Sequence, residues 1–143
     1  MMQAQAGAAE TQAFHASAAD IGEMDRWVEE LGARWGIPER TVFRARVCIA
    51  EIAANVLEHG ATRPDGDQII ITLRDQAPAV EIEIADTGKA FNPVTSAAEA
   101  DAEADRSATE GGRGLQLLHS YASAIDYKRE RDRNILLFRV LSA

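Results

Sequence analysis

The chain has 143 residues, 46% of them hydrophobic, and carries 15 Lys and Arg against 23 Asp and Glu, a formal net charge of −8. This length suits one core of ordinary size and is too short for two comfortable domains, and the acidic balance argues against nucleic acid as a partner, because binding to a phosphate backbone depends on clustered cations. A single cysteine, Cys48, excludes an intrachain disulfide and a cysteine-based zinc cage, and without a leader pattern or an apolar run of about 18 residues we expect a cytoplasmic protein with no membrane partner.

The N-terminal residues 1–10 are rich in Ala and Gln and show no periodicity, which is typical of a flexible tail. We expect residues 11–143 to form one domain. The residues around Phe14 give only a faint strand signal.

A first amphipathic helix is predicted where apolar residues recur at three- and four-residue steps up to Trp35. Asp20 is the expected N-terminal cap and Gly36 the expected stop. Trp27 and Trp35 are expected in the core, although they would also suit an apolar dimer surface.

A second helix is predicted from Pro38 to Gly60, because an apolar stripe recurs at three- and four-residue steps. The stripe consists of Val42, Ala45, Ile49, Ile52 and Val56.

Three polar residues border that stripe at successive four-residue steps: Glu51, Asn55 and His59. Half-buried polar side chains cost free energy unless they find partners, so this row is a candidate ligand site. In the alternative interpretation Glu51 and Asn55 face solvent and His59 is a cation at the helix end.

The segments "QIIITLRD" and "AVEIEIAD" predict two antiparallel strands joined by a turn. "DTGKAF" follows directly, with Asp86 placed to accept a hydrogen bond from an exocyclic amine and Gly88 leaving room for a ligand. An ordinary turn that uses the turn chemistry of Asp and Gly explains the same letters.

Residues 92–112 are small and acidic without a usable period, which predicts a loop. In "GGRGLQLL", Gly111, Gly112 and Gly114 stand at the start of a helix, where free backbone N–H groups favour a phosphate. Arg113 would add a positive charge, and the alternative is a flexible hinge.

The chain closes with "RGLQLLHSYA" as a helix and then "SAIDYKRE" and "RNILLFRVL" as a hairpin that turns near Asp132. The pattern alone predicts an α+β fold.

In this order, "EIAANVLEHG", "DTGKAF" and "GGRGLQLL" resemble the three nucleotide-binding boxes of the GHKL ATPase superfamily. The short form, Phe91 and the wording "AEIAANVLEHG" most resemble the anti-sigma factor serine kinases of the RsbW and SpoIIAB type. The resemblance covers residues 12–141. It implies the Bergerat fold, a two-layer α/β sandwich with a mixed, mostly antiparallel sheet and three helices on one face.

The resemblance implies a role for each matching residue. Glu51 is the general base toward a partner's serine, Asn55 binds Mg²⁺ at the ATP phosphates, and His59 lines the pocket. Asp86 reads the adenine amine and Gly88 lets the base approach. Further nucleotide contacts, under a lid at about 93–112, are implied for Phe91, Gly111, Gly112, Arg113, Gly114 and Leu115.

Two departures limit the transfer. Arg113 stands where the family pattern also accepts a small or apolar residue. The lid is unusually acidic, which suggests that its carboxylates face water or a basic partner rather than the nucleotide.

The resemblance implies a kinase that phosphorylates a STAS-type anti-sigma-factor antagonist and sequesters a sigma factor, and a homodimer is a candidate assembly. The alternative is a nucleotide-dependent partner-binding switch with little or no kinase activity. A detached histidine kinase ATPase domain is disfavoured, because no helical hairpin with a phosphoacceptor His precedes the domain and His15 lies in a poor context.

Overall fold

The computed structural model describes residues 7–60, 68–90 and 117–141. Its elements are β1 (Ala9–His15), α1 (Ala18–Trp35), α2 (Glu39–Asn55), a π-helical turn (Val56–Gly60), β2 (Gln68–Gln76), β3 (Ala79–Asp86), β4 (Ala122–Glu130) and β5 (Arg133–Leu141). Residues 117–121 are also helical. The strands form one sheet in the order β1-β2-β3-β5-β4, and all four pairings are antiparallel. The predicted α+β class is therefore confirmed.

One face of the sheet forms the core, because strand residues on alternate positions point to the same side. The inward residues of the three central strands are Ile69, Ile71, Leu73, Val80, Ile82, Ile84, Leu136, Phe138 and Val140, none more than 4% exposed. The pairing brings Ile84 opposite both Ile71 and Leu136. The same inward face ends at Asp86 of β3, which pairs with Asn134 of β5.

Helix α1 begins at Ala18, and Ser17 rather than Asp20 is its cap. The Ser17 hydroxyl accepts a hydrogen bond from Asp20 N (3.1 Å), and the Asp20 carboxylate accepts one from His15 N (2.6 Å). The prediction of Asp20 as the cap was wrong because Asp20 is the third helical residue, whose own N–H is the group that Ser17 caps. Gly36 ends the helix as predicted, at φ 69°.

The tryptophans of α1 belong to the core, as preferred from the sequence. Trp27 and Trp35 are each 8% exposed, and the Trp27 ring meets the Phe14 ring edge-on with centroids 5.7 Å apart. Phe14 belongs to β1, which begins at Ala9, so the predicted N-terminal tail includes two strand residues.

The two long helices approach each other closely at Gly32 of α1. A Cβ atom at this position would lie 2.4 Å from Cγ2 of Val42 on α2, which is nearer than real contacts allow. A second link is the Arg46 guanidinium of α2, whose Nε and Nη2 atoms each donate to Asp25 of α1 at 2.8 Å. These contacts fix how α2 lies beside α1.

The second helical run reaches Gly60 as predicted, but its hydrogen bonding changes after Asn55. The α-helix ends there and Val56–Gly60 form a π-helical turn. Such turns accommodate an extra residue in a helix and are frequent at functional sites.

Both predicted hairpins are present. Strands β2 and β3 pair along their length, and β4 and β5 pair with an irregularity between Ser123 and Asp126. The closing turn contains Arg131 and Asp132, as expected, with Arg131 at φ 57°.

No helix in the described ranges is both long and apolar enough to cross a membrane.

Candidate functional site

Asn55 lies at the end of α2 and is buried, with 4% of its surface exposed. Its Nδ2 atom donates to the backbone carbonyl of Glu51 at 2.8 Å. Because only the nitrogen end of an amide can donate, this bond fixes the amide orientation and directs the oxygen away from that carbonyl. The interpretation in which Asn55 faces solvent is therefore wrong.

Glu51 lies one helical turn before Asn55 and is half-buried. Desolvation raises the pKa of the Glu51 carboxyl above its ordinary value. A carboxylate with a raised pKa is the stronger proton acceptor, and such tuning is common among catalytic general bases. The raised pKa of Glu51 is therefore compatible with a role in proton transfer.

Cys48 lies one turn before Glu51 and is completely buried. Burial, and secondarily the nearby Glu51 carboxylate, raise the pKa of the Cys48 thiol to about 12. A thiol that stays protonated at neutral pH is a poor nucleophile, so Cys48 is a core residue.

Asp86 ends β3 and is buried, with 6% exposure. Its Oδ1 atom accepts from Gly88 N at 3.0 Å and from Asn134 Nδ2 at 2.9 Å. The bond to Gly88 is the turn chemistry that the alternative interpretation predicted, and the bond to Asn134 adds a second, tertiary partner. The Asp86 carboxylate therefore both closes the turn and serves as a buried hydrogen-bond acceptor for the neighbouring strand.

Asn134 has no counterpart in the sequence prediction of the site. Its Nδ2 atom also donates to the backbone carbonyl of Lys89 at 2.9 Å, and its Oδ1 atom accepts from Tyr127 OH at 2.5 Å and Arg129 Nη1 at 3.2 Å. A signal was present in the sequence, because Asn134 occupies an inward position of β5 where the alternation demands an apolar residue.

The helical and strand parts of the site lie on the same side of the sheet. Helix α2 packs on β3 and β5, and Asp86 and Asn134 continue the inward face of those strands. The first residue of β2 lies beside the end of β3, where Gln68 N donates a hydrogen bond to Thr87 Oγ1 at 3.1 Å.

The helical segment 117–121, which follows the glycine cluster, is anchored at two points. Leu118 is fully buried, and the Arg44 guanidinium of α2 lies over the Tyr121 ring, 5.3 Å from its centroid. The segment is therefore packed against α2.

Several predicted site residues lie outside the described residues. They are Phe91, Gly111, Gly112, Arg113, Gly114 and Leu115, together with the predicted lid at about 93–112. The backbone of His59 belongs to the π-helical turn, and its side chain is also outside the description.

The Asn55 amide oxygen is the ligand that the sequence predicted for Mg²⁺. This ion is held by one or two protein oxygen ligands, with phosphates and waters completing its octahedron, and the Asn55 amide presents an oriented oxygen. Across the described residues, no three His, Cys, Asp or Glu side chains form a metal-binding group. A divalent ion at Asn55 would take most of its ligands from a nucleotide and water.

Comparison with known proteins identifies the family of the chain and a relative of known class. Residues 14–140 match the family described as the histidine kinase-like ATPase domain. The serine/threonine-protein kinase BtrW of Bordetella bronchiseptica is 30% identical over 117 residues, which is 82% of each chain.

Among solved structures, the chain is similar to the histidine kinase domain of the blue-light activated histidine kinase EL346 of Erythrobacter litoralis. The TM-score is 0.52 at 16% identity, and the match covers 99% of this chain and 68% of the other. At this identity the likeness shows the fold alone.

Proposed function

The chain belongs to the histidine kinase-like ATPase domain family, and from that membership we propose that it is a Mg²⁺- and ATP-dependent protein serine kinase. The serine class is supported by the relative that is named a serine/threonine-protein kinase and aligns over 82% of both chains. The proposed substrate is a serine of a STAS-type anti-sigma-factor antagonist, in a partner-switching pathway whose response partner is a sigma factor.

The observation that supports this proposal best is the arrangement at the end of α2. There, the half-buried Glu51, with its raised pKa, lies one turn from Asn55, whose amide is held in one orientation by the Glu51 carbonyl. A proton acceptor and an oxygen ligand for a cation on one helix are what phosphoryl transfer to a hydroxyl group needs.

The nucleotide is proposed to bind between α2 and the ends of β3 and β5. Asp86 accepts a hydrogen bond from the 6-amino group of adenine. Gly88, which is buried beside it, leaves space for the base. The phosphates are assigned to the glycine-rich segment, and Asn55 holds the cation. Bound Mg²⁺ would supply charge neutralisation to the phosphates. His59, Phe91, Arg113 and Leu115 are proposed as further nucleotide contacts.

In the transfer step, Glu51 accepts the proton of the substrate serine hydroxyl. The serine oxygen forms a bond to the γ-phosphorus of ATP while the bond from that phosphorus to the β–γ bridging oxygen breaks. ADP leaves, and Glu51 then releases its proton to water. Positioning by the helix supplies much of the rate enhancement, because phosphoryl transfer depends chiefly on alignment and charge stabilisation.

Glu51 faces the protein surface on one side. It lines a shallow surface cleft of about 200 Å³ with Asp25, Phe43, Arg46, Val47 and Ala50. A serine on a protruding loop could reach the carboxylate through this cleft, so the burial of Glu51 is compatible with catalysis on a folded partner.

The proposal is tested first by isothermal titration of the wild type with ATP, with and without Mg²⁺. We expect saturable binding that Mg²⁺ strengthens. Asn55→Ala should bind Mg-ATP about tenfold more weakly, because one ligand of the cation is lost, and should show no Mg²⁺ effect.

Gln12→Ala is the matched control, since it removes an exposed amide from the edge strand β1 and should leave both titrations unchanged. Full Mg²⁺-dependent affinity in Asn55→Ala would contradict the role given to Asn55. A wild type that binds no ATP would contradict the proposed function.

A further inference from the structure

Asn134 connects the proposed adenine-reading carboxylate to the β4-β5 hairpin. It lies directly opposite Asp86 in the pairing of β3 with β5 and is 5% exposed. Its Nδ2 atom donates both to Asp86 Oδ1 and to the carbonyl of Lys89, each at 2.9 Å. One amide group therefore holds the carboxylate and the backbone that follows it.

The other end of the same amide is also held. Asn134 Oδ1 accepts from Tyr127 OH and from Arg129 Nη1, and Arg129 Nη1 donates in addition to the Gly88 carbonyl at 2.7 Å. The nitrogen of the amide must donate and its oxygen must accept. Only one orientation of the Asn134 amide therefore satisfies these contacts. Asp86 and Asn134 at the centre of this network are buried, and polar groups held on both sides in this way are restricted in their motion.

The network fixes the direction of the Asp86 carboxylate. Gly88 N approaches Oδ1 from the turn and Asn134 Nδ2 approaches it from the neighbouring strand. Two donors on one oxygen restrict rotation about the side-chain bond, and so the direction of the second oxygen is set as well.

We propose that Asn134 is a positioning residue for nucleobase recognition, which holds Asp86 as an oriented acceptor for the 6-amino group of adenine. The inference rests on the proposed ATP site. It assigns part of the specificity for the base to the β4-β5 hairpin, through Asn134 and, behind it, Tyr127 and Arg129.

The test compares ATP with purine riboside triphosphate, which lacks only the 6-amino group, by isothermal titration. The wild type should prefer ATP. In Asn134→Leu, which keeps the branching of the amide with larger terminal groups but cannot form hydrogen bonds, we expect ATP affinity to fall by about tenfold and affinity for the analogue to stay the same. The ratio of the two affinities isolates the contact with the amine, which a general loss of structure would not affect selectively.

Two further variants complete the test. Ile84 lies two residues before Asp86 on the same inward face and pairs with Leu136. Ile84→Val should lower the free energy of unfolding without changing the ratio of the two nucleotide affinities. Arg129→Met changes an exposed residue that reaches Asn134 and Gly88. It should reduce the preference for ATP over the analogue by about threefold. This variant keeps the test available if Asn134→Leu does not fold.

An equal loss of affinity for ATP and for the analogue in Asn134→Leu would overturn the inference. An affinity ratio that stays unchanged in both Asn134→Leu and Arg129→Met would do the same. The failure of the wild type to bind ATP is a different result, because it removes the proposed function itself.

Discussion

Replacement of Glu51 with Gln is expected to lower phosphoryl transfer to a protein serine by about 10²- to 10⁴-fold. Gln has the same shape but cannot accept the hydroxyl proton at neutral pH, so the chemical step loses its base. ATP affinity should stay within about twofold of the wild-type value, since the proposed role of Glu51 is toward the serine and not toward the nucleotide.

The measurement is single-turnover transfer of labelled γ-phosphate from ATP to a purified STAS-domain protein that carries the target serine. Glu39→Gln is the matched control, because it removes an exposed carboxylate from the first turn of the same helix and should transfer at the wild-type rate. Undiminished transfer by Glu51→Gln, alongside normal ATP binding, would exclude Glu51 as the base. A wild type that binds ATP without transferring phosphate would favour the partner-binding switch.

The pH dependence of the wild-type enzyme provides a second readout of the same residue. Only the ionised carboxylate accepts a proton, so the rate should rise as the pH passes through the pKa of Glu51. Burial raises that pKa, and the rise should therefore occur above the value of about 4.3 for an ordinary Glu. In Glu51→Gln this limb of the profile should disappear.

The same shift affects stability with a definite sign. Because the folded state binds the proton more tightly than the unfolded chain, the stabilising contribution is complete below the unfolded pKa. It is lost as the pH rises through the folded pKa. Catalysis and stability thus respond to pH in opposite directions at this residue.

Gly32→Ala should destabilise the protein by about 2 kcal/mol, although Ala is the better helix former. The added Cβ would lie 2.4 Å from Cγ2 of Val42, and the β-branched Val42 has few alternative rotamers within a helix. The cost of moving the two helices apart therefore exceeds the gain in helix propensity. Urea unfolding followed by circular dichroism measures the difference.

The matched control is Gly22→Ala, in the same helix. A Cβ at Gly22 meets no atom within 4 Å, so this variant should become more stable by up to about 1 kcal/mol. The same chemical change should thus have opposite signs at two positions of α1. A Gly32→Ala variant as stable as Gly22→Ala would show that the two helices separate at little cost.

Strong periodicity accounts for the parts of the fold that the sequence predicted well. The alternation in β3 and the helical stripe of α2 each identify one buried face, and the register follows once those faces meet. Helix boundaries were less predictable, because Ser17 and Asp20 are both good capping residues and the spacing of the apolar residues does not distinguish between them. The change to a π-helical turn after Asn55 leaves no mark in the spacing.

The residues of the predicted site also differ in how well the sequence alone could identify them. Glu51, Asn55 and Asp86 were predicted because polar residues border or end apolar patterns, and of these Asn55 and Asp86 are buried. Asn134 was missed since its significance comes from a partner 48 residues earlier in the chain, a distance that pattern analysis does not cover. An amide at an inward strand position is a signal that deserves a search for such a partner.

The order of the strands has a consequence for how the protein opens. Asp86 belongs to the middle strand of five and Asn134 to the strand beside it, whereas β1 and β4 form the two edges. Backbone amides in the centre of a sheet exchange with solvent only through the largest openings, and edge amides exchange through local fraying. Amides around Ile84 and Leu136 should therefore be the slowest to exchange. The centre of the sheet would then remain in register while its margins fluctuate, so the two strands that carry Asp86 and Asn134 keep their pairing when no nucleotide is bound.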